Sequence, residues 1–107
     1  MKKSTELITP VAFAKILADP TRQQIMDACC CVWRSVSEIV AVVEVSQPTV
    51  SHHLSVLREA GLVKIKEEGK HSYYTLNQEA VAQCCGQLLV AFAPESQAAS
   101  QLSKLTS

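Results

Sequence analysis

Apolar residues fall at helical spacing along most of this chain and alternate in one short stretch. Across residues 46–58, Val50, Leu54 and Leu57 recur at i, i+4 and i+7, which places them on one face of a helix. Ser46 is a ready N-cap, and Pro48 fits the first turn, where its missing N–H has no partner to lose. The other face carries Gln47, Thr49, Ser51, His52, Ser55 and Arg58. These are short or planar hydrogen-bonding side chains with one cation among them, a set that suits base edges and phosphates. A solvated polar face on an ordinary amphipathic helix has the same look, so the neighbouring segments must decide.

Before it, residues 1–8 read as a loosely held lead. Residues 11–17 form a short helix whose Val11, Phe13, Ala14, Ile16 and Leu17 make a wide apolar surface in need of a partner. Asp19-Pro20 is a helix start, and the helix it opens runs to about residue 30 with Ile25, Met26 and Cys29 inward. Arg22 lies in its first turn against the helix dipole, which predicts a specific carboxylate or carbonyl partner. Ser35-x-x-Glu38 is a capping box opening a helix through Val43, with Val36, Ile39, Val40 and Val43 apolar. Glu44-Val45 then turns directly into the 46–58 helix, a helix-turn-helix. His53 flanks the apolar stripe there and is expected to pack, not to touch DNA.

Gly61 ends that helix. Residues 62–67 alternate, residues 71–76 are rich in β-formers, and Glu68-Gly69-Lys70 lies between them, so the pair reads as a hairpin, or wing. Asn77 caps a last helix over residues 78–92, with Ala80 or Val81, Cys84, Leu88 and Phe92 along one stripe and Pro94 ending it. Residues 95–107 are polar and expected to be a mobile tail.

At 107 residues with 48% apolar content, the chain is expected to be a single, mostly helical domain spanning 1–107, with its core at about 11–92. No apolar run reaches the ~20 residues of a membrane span, and no signal peptide is evident, so a cytoplasmic protein is expected. Net charge is zero, from ten basic and ten acidic residues, which disfavours non-specific nucleic-acid binding. The cations are not evenly spread, however: Arg58, Lys64, Lys66, Lys70 and all three histidines lie between residues 46 and 76. Nothing reads as an enzyme: there is no nucleophile elbow, phosphate loop, paired carboxylates or C-x-x-C. A pure protein-interaction module would not need a polar reading face beside a basic wing.

Several separated motifs, taken together, resemble the ArsR/SmtB winged-helix repressors. They are Leu17-Ala18-Asp19-Pro20-Thr21-Arg22, then Ser46-Gln47-Pro48-Thr49-Val50-Ser51-His52-His53-Leu54, then Leu57-Arg58-Glu59-Ala60-Gly61-Leu62-Val63, then Glu68-Gly69-Lys70 and Tyr73-Tyr74. The resemblance covers about residues 11–92. It implies a mostly α winged helix-turn-helix that dimerises through its first and last helices and represses until an inducer acts. A two-fold dimer would set two copies of residues 46–58 in successive major grooves ~34 Å apart, on a double-stranded operator that is an imperfect palindrome. Gln47, Thr49, Ser51 and His52 are then nearest base edges, Ser55 and Arg58 face phosphates, and Lys66 and Lys70 reach from the wing.

Family members sense metals through cysteines on the third helix or through carboxylates and histidines on the last. The matching stretches here are Trp33-Arg34-Ser35-Val36-Ser37-Glu38 and positions Gln78, Ala80, Ala91 and Pro94, which hold neither ligand set. No metal site is firmly assigned and no cofactor is required. What remains is sulfur: Cys29, Cys30, Cys31, Cys84 and Cys85. Cys29 fits a core stripe, and at least one of Cys84 and Cys85 is expected to pack at the dimer seam. Cys30 and Cys31 fall off the stripe and are the leading sensor candidates. One chemistry is oxidation to a disulfide between neighbours, strained because adjacent α-carbons are only ~3.8 Å apart and disulfides span ~4.4–6.8 Å. The alternative is As(III), Sb(III) or another thiophilic ion as inducer, with a third thiolate from Cys84, Cys85 or the other subunit. Redox is favoured because the adjacent pair suffices.

Overall fold

Side-chain caps write the helix starts. Thr9 Oγ1 accepts from Ala12 N at 3.1 Å, Asp19 Oδ1 from Thr21 N at 2.9 Å, Asn77 Oδ1 from Ala80 N at 3.2 Å, and Ser46 Oγ from Thr49 N at 3.4 Å. The Ser35–Glu38 capping box closes in both directions, at 3.2 and 2.9 Å. In the computed structural model, which describes residues 8–106, the elements run α1 (Pro10–Leu17), α2 (Pro20–Ala28), β1 (Arg34–Ser35), α3 (Val36–Val43), α4 (Gln47–Glu59), β2 (Val63–Glu68), β3 (His71–Leu76), α5 (Gln78–Phe92) and α6 (Gln97–Thr106). The lead expected at residues 1–8 lies almost wholly outside the described residues.

Three differences from the sequence reading stand out. The second helix stops at Ala28, two residues short of expectation, so Cys30 and Cys31 lie in a loop and not on a helix end. The hairpin is joined on its far side by β1, giving the antiparallel order β1-β3-β2. The stretch expected to be a tail carries α6 in place of bare loop. Ser96 Oγ accepts from Ala99 N at 3.1 Å, and Ala99 is buried. Its alanine and serine content hid an amphipathic helix of low mean hydropathy.

The core is one cluster in which every early helix takes part: Phe13 and Ile16 from α1, Ile25 and Met26 from α2, Ile39 from α3, and Val50, Leu54 and Leu57 from α4. The three α4 residues are all within 2% of full burial, and such side chains stabilise by roughly 1.5–3 kcal/mol each. One face of α4 is thereby immobilised and the other left free. Its end is a Schellman motif: Leu62 N donates to Leu57 O at 2.9 Å and Gly61 N to Arg58 O at 3.0 Å, with Gly61 at φ 77°. The hairpin turn is two residues, since Glu68 pairs with His71, and Gly69 supplies the positive φ of 62° at its first central position.

A polar clamp fixes the N-terminal half of α4 to the α1–α2 corner. Arg22 Nε donates to the carbonyl of Ile16 at 3.1 Å, the kind of partner its placement requires. Its Nη1 stands 3.1 Å from Nδ1 of His53. Arginine has donors only, so His53 Nδ1 must accept and the imidazole proton sits on Nε2, facing Asp19 Oδ2 at 3.9 Å. His53 is 8% exposed, the packed residue the sequence suggests. Burial holds its pKa below the ordinary 6.5, helped by Arg22 and His52 and opposed by Asp19.

Arg22→Ala strands the His53 acceptor and the Ile16 carbonyl, and urea unfolding at pH 7.5 should show a loss of ~1–3 kcal/mol. The depressed His53 pKa also sets a pH trend. As pH drops below about 6.5 the unfolded chain takes up this proton first, so stability falls and then levels once the folded protein titrates too. Unfolding midpoints between pH 8 and 5 should follow that course and flatten in His53→Gln.

Candidate nucleic-acid interface and thiol site

The free face of α4 carries the residues expected to read DNA. Gln47, Ser51, His52, Ser55 and Arg58 are exposed, and Thr49 is half-buried with its hydroxyl 2.9 Å from that of Ser46. Val50, His53, Leu54 and Leu57 point the other way into the protein. Lys70 stands exposed in the hairpin turn, and Lys66 is half-buried on β2. The helix and the hairpin therefore present polar and cationic groups while their backs are spent on the core.

Lys66 is engaged within the protein. Its Nζ lies 4.7 Å from the centre of the Trp33 ring and 3.4 Å from Glu68 Oε2. Sequence reading found Lys66 but not this arrangement, because Trp33 and Lys66 meet only once β1 and β2 flank β3.

The five cysteines separate by environment. Cys29 is fully buried, and its Sγ donates to the Ile25 carbonyl at 3.3 Å. Burial pushes its thiol up to about 11, so it stays a protonated core residue. Cys84 is likewise buried, its pKa raised by desolvation and then by Cys85, which is itself exposed. Among the described residues no three His, Cys, Asp or Glu side chains stand close enough to hold a metal ion.

Cys30 and Cys31 differ from these. Their sulfurs are 3.2 Å apart, with Cys31 exposed and Cys30 half-buried. The hydrogen bond to Cys31 is the main cause holding the Cys30 thiol above its usual range, followed by desolvation and the charges of Cys31 and Asp27. Either thiol can donate to the other, and Cys31 is the more open sulfur of the pair. Cys31 sits at φ 71°, in the left-handed region where a β-carbon costs about 1–2 kcal/mol. No sequence pattern announced this geometry, since cysteine has no preference for left-handed backbone.

Replacing Cys31 by glycine removes that strain but adds ~0.5–1 kcal/mol of unfolded-chain entropy. Cys31→Gly should therefore unfold at equal or higher urea than the parent, by up to ~1.5 kcal/mol, and Cys31→Ala should show no such gain.

Comparison with known proteins agrees with this arrangement. Residues 19–64 match the family described as bacterial regulatory protein, arsR family. The chain is 38% identical over 97 residues to the biofilm growth-associated repressor of Agrobacterium fabrum, covering 88% of this chain and 79% of that one. It is 36% identical over 81 residues to the arsenic resistance transcriptional regulator ArsR1 of Pseudomonas putida, covering 69% of this chain and 59% of the length of that protein. The homodimeric winged helix-turn-helix DNA-binding domain from Mycobacterium bovis superposes with a TM-score of 0.62 at 28% identity, over 76% of each chain. The capped reading helix, the wing and these likenesses lead to one assignment: the chain belongs to the ArsR/SmtB family of DNA-binding transcriptional repressors, which are winged helix-turn-helix proteins and not enzymes.

Proposed function

We propose that this repressor binds a palindromic operator as a homodimer and leaves it when an oxidant joins Cys30 to Cys31. The observation that carries the sensing half is the 3.2 Å separation of the two sulfurs in an accessible loop. The thiolate of Cys31 attacks a peroxide oxygen, the O–O bond breaks, hydroxide leaves, and a sulfenic acid forms. The Cys30 thiol then attacks Cys31, the S–O bond breaks, and the leaving hydroxide takes the Cys30 proton and departs as water. Two electrons have passed from the pair to the peroxide, and the sulfurs must close from 3.2 Å to about 2.05 Å.

The dimer reading draws on exposed apolar residues of the first helix and α5: Val11 at 65%, Val90 at 64% and Phe92 at 79%. The M. bovis neighbour is homodimeric. On the operator, Gln47, Thr49, Ser51 and His52 meet base edges, and Ser55, Arg58, Lys66 and Lys70 meet the backbone. A DNA partner supports a cytoplasmic location; no described helix is long and apolar enough to cross a membrane.

A second reading has its own support. The P. putida relative is named for arsenic resistance, and two neighbouring thiolates suit a thiophilic ion such as As(III). Redox needs only what one loop supplies, and it is the primary reading.

Gel shifts on the protein's own upstream DNA decide between them. Peroxide should release the reduced protein and dithiothreitol restore it, with Cys30→Ser and Cys31→Ser staying bound throughout. Persistent release of both variants by peroxide would place the sensor elsewhere. Release by arsenite under full reduction, without peroxide sensitivity, would favour the ion.

A further inference from the structure

The loop holding the cysteine pair is an arch with both feet on β3. At one foot the Cys29 carbonyl accepts from Leu76 N at 2.9 Å and from Thr75 Oγ1 at 3.2 Å. At the other, Arg34 and Ser35 pair with Tyr74 and Tyr73, and Arg34 Nε donates back to the Ala28 carbonyl. Between them lie residues 30–33. At the far end of this span, next to β1, is Trp33, whose ring covers Lys66 Nζ at 4.7 Å. Since β1 and β2 sit on opposite sides of β3, that contact crosses the whole width of the sheet. Trp33 is the chain's one tryptophan, and Lys66 is 40% exposed beneath it.

We propose that Trp33 is a positioning residue: its indole holds Lys66 as a preset cation for a DNA phosphate, and closure of the Cys30–Cys31 bond withdraws it. This rests on the thiol and wing readings above, and it names the route between them. An ammonium over an indole face is held by the ring quadrupole without being neutralised, so it remains available to an anion. Glu68, 3.4 Å from the same Nζ, already shares Lys66 with the ring, and it keeps the cation when the ring moves away. With both feet fastened to β3, the arch has little room to absorb a change at residues 30 and 31. The free part that can shift is Val32–Trp33, both exposed.

The test measures operator affinity of the full chain against salt concentration. Each lost phosphate contact lowers the log–log slope by ~0.9, hence by ~2 for a dimer losing one per protomer. Reduced Trp33→Ala and Lys66→Gln should each show that drop, the double variant no more than either alone, and Trp33→Phe an intermediate value. A merely structural Trp33 would weaken binding with the slope intact, and an additive double variant would also overturn the proposal. In the second arm, emission of Trp33 should change as mass spectrometry records the loss of two hydrogen atoms from the pair, and stay constant in Cys30→Ser. Disulfide formation without any change at Trp33 would overturn the coupling. Absence of a Cys30–Cys31 disulfide after oxidation would instead refute the sensing reading, and the salt-slope cycle would still judge Trp33 and Lys66.

Discussion

One backbone oxygen joins the two halves of this fold. The carbonyl of Cys29, at the C-cap of α2, takes hydrogen bonds from Leu76 N and Thr75 Oγ1 at the end of β3. One residue further on, Asn77 N bonds the carbonyl of Leu62, and the Asn77 side chain bonds the carbonyl of Gly61 and caps α5. The C-terminus of the reading helix, the wing and the last helix are thus tied to one short run of β3. Burial of the Cys29 side chain makes the junction rigid, because the residue that offers its carbonyl to the wing is locked by its sulfur in the helical core.

That junction reconciles a neutral chain with DNA binding. With no excess of cations the protein gains little from non-specific attraction to phosphate, so affinity must come from placing a few groups well. The apolar back of α4, the Arg22–His53 clamp at its front half and the Schellman motif at its end hold the reading face in position. Specific recognition by a chain of zero net charge depends on this rigidity more than on field strength, and a small disturbance at the junction is correspondingly effective.

Most of the architecture was legible because local signals agreed with the global fold. Asp19-Pro20, Ser35-x-x-Glu38, Ser46, Gly61 and Asn77 announced helix boundaries, and Gly69 the turn. What escaped was tertiary or conformational. β1 is two residues long and exists only because β3 offers an edge, so no periodicity could reveal it. α6 has too few large apolar residues to stand out. The partner of Arg22 was expected to be a carboxylate or a carbonyl, and a carbonyl is there, but the pairing with His53 joins positions 31 apart and shows no sequence signature. Cys30 and Cys31 were singled out by residue type, adjacency and their place off the apolar stripe; the loop, the left-handed Cys31 and the reach of Trp33 to Lys66 needed coordinates.

The adjacency of Cys30 and Cys31 has a last consequence. A disulfide between sequence neighbours closes a ring of a few atoms and restrains almost none of the unfolded chain, so it lacks the loop-entropy stabilisation that longer bridges supply. It also crosses no subunit boundary. Each polypeptide would count its own oxidising events, at a rate independent of protein concentration and of what its partner has done. On the proposed mechanism such a dimer would pass through a half-oxidised state, and the response at the operator would be graded by how many wings, one or two, a single dimer loses before it lets go.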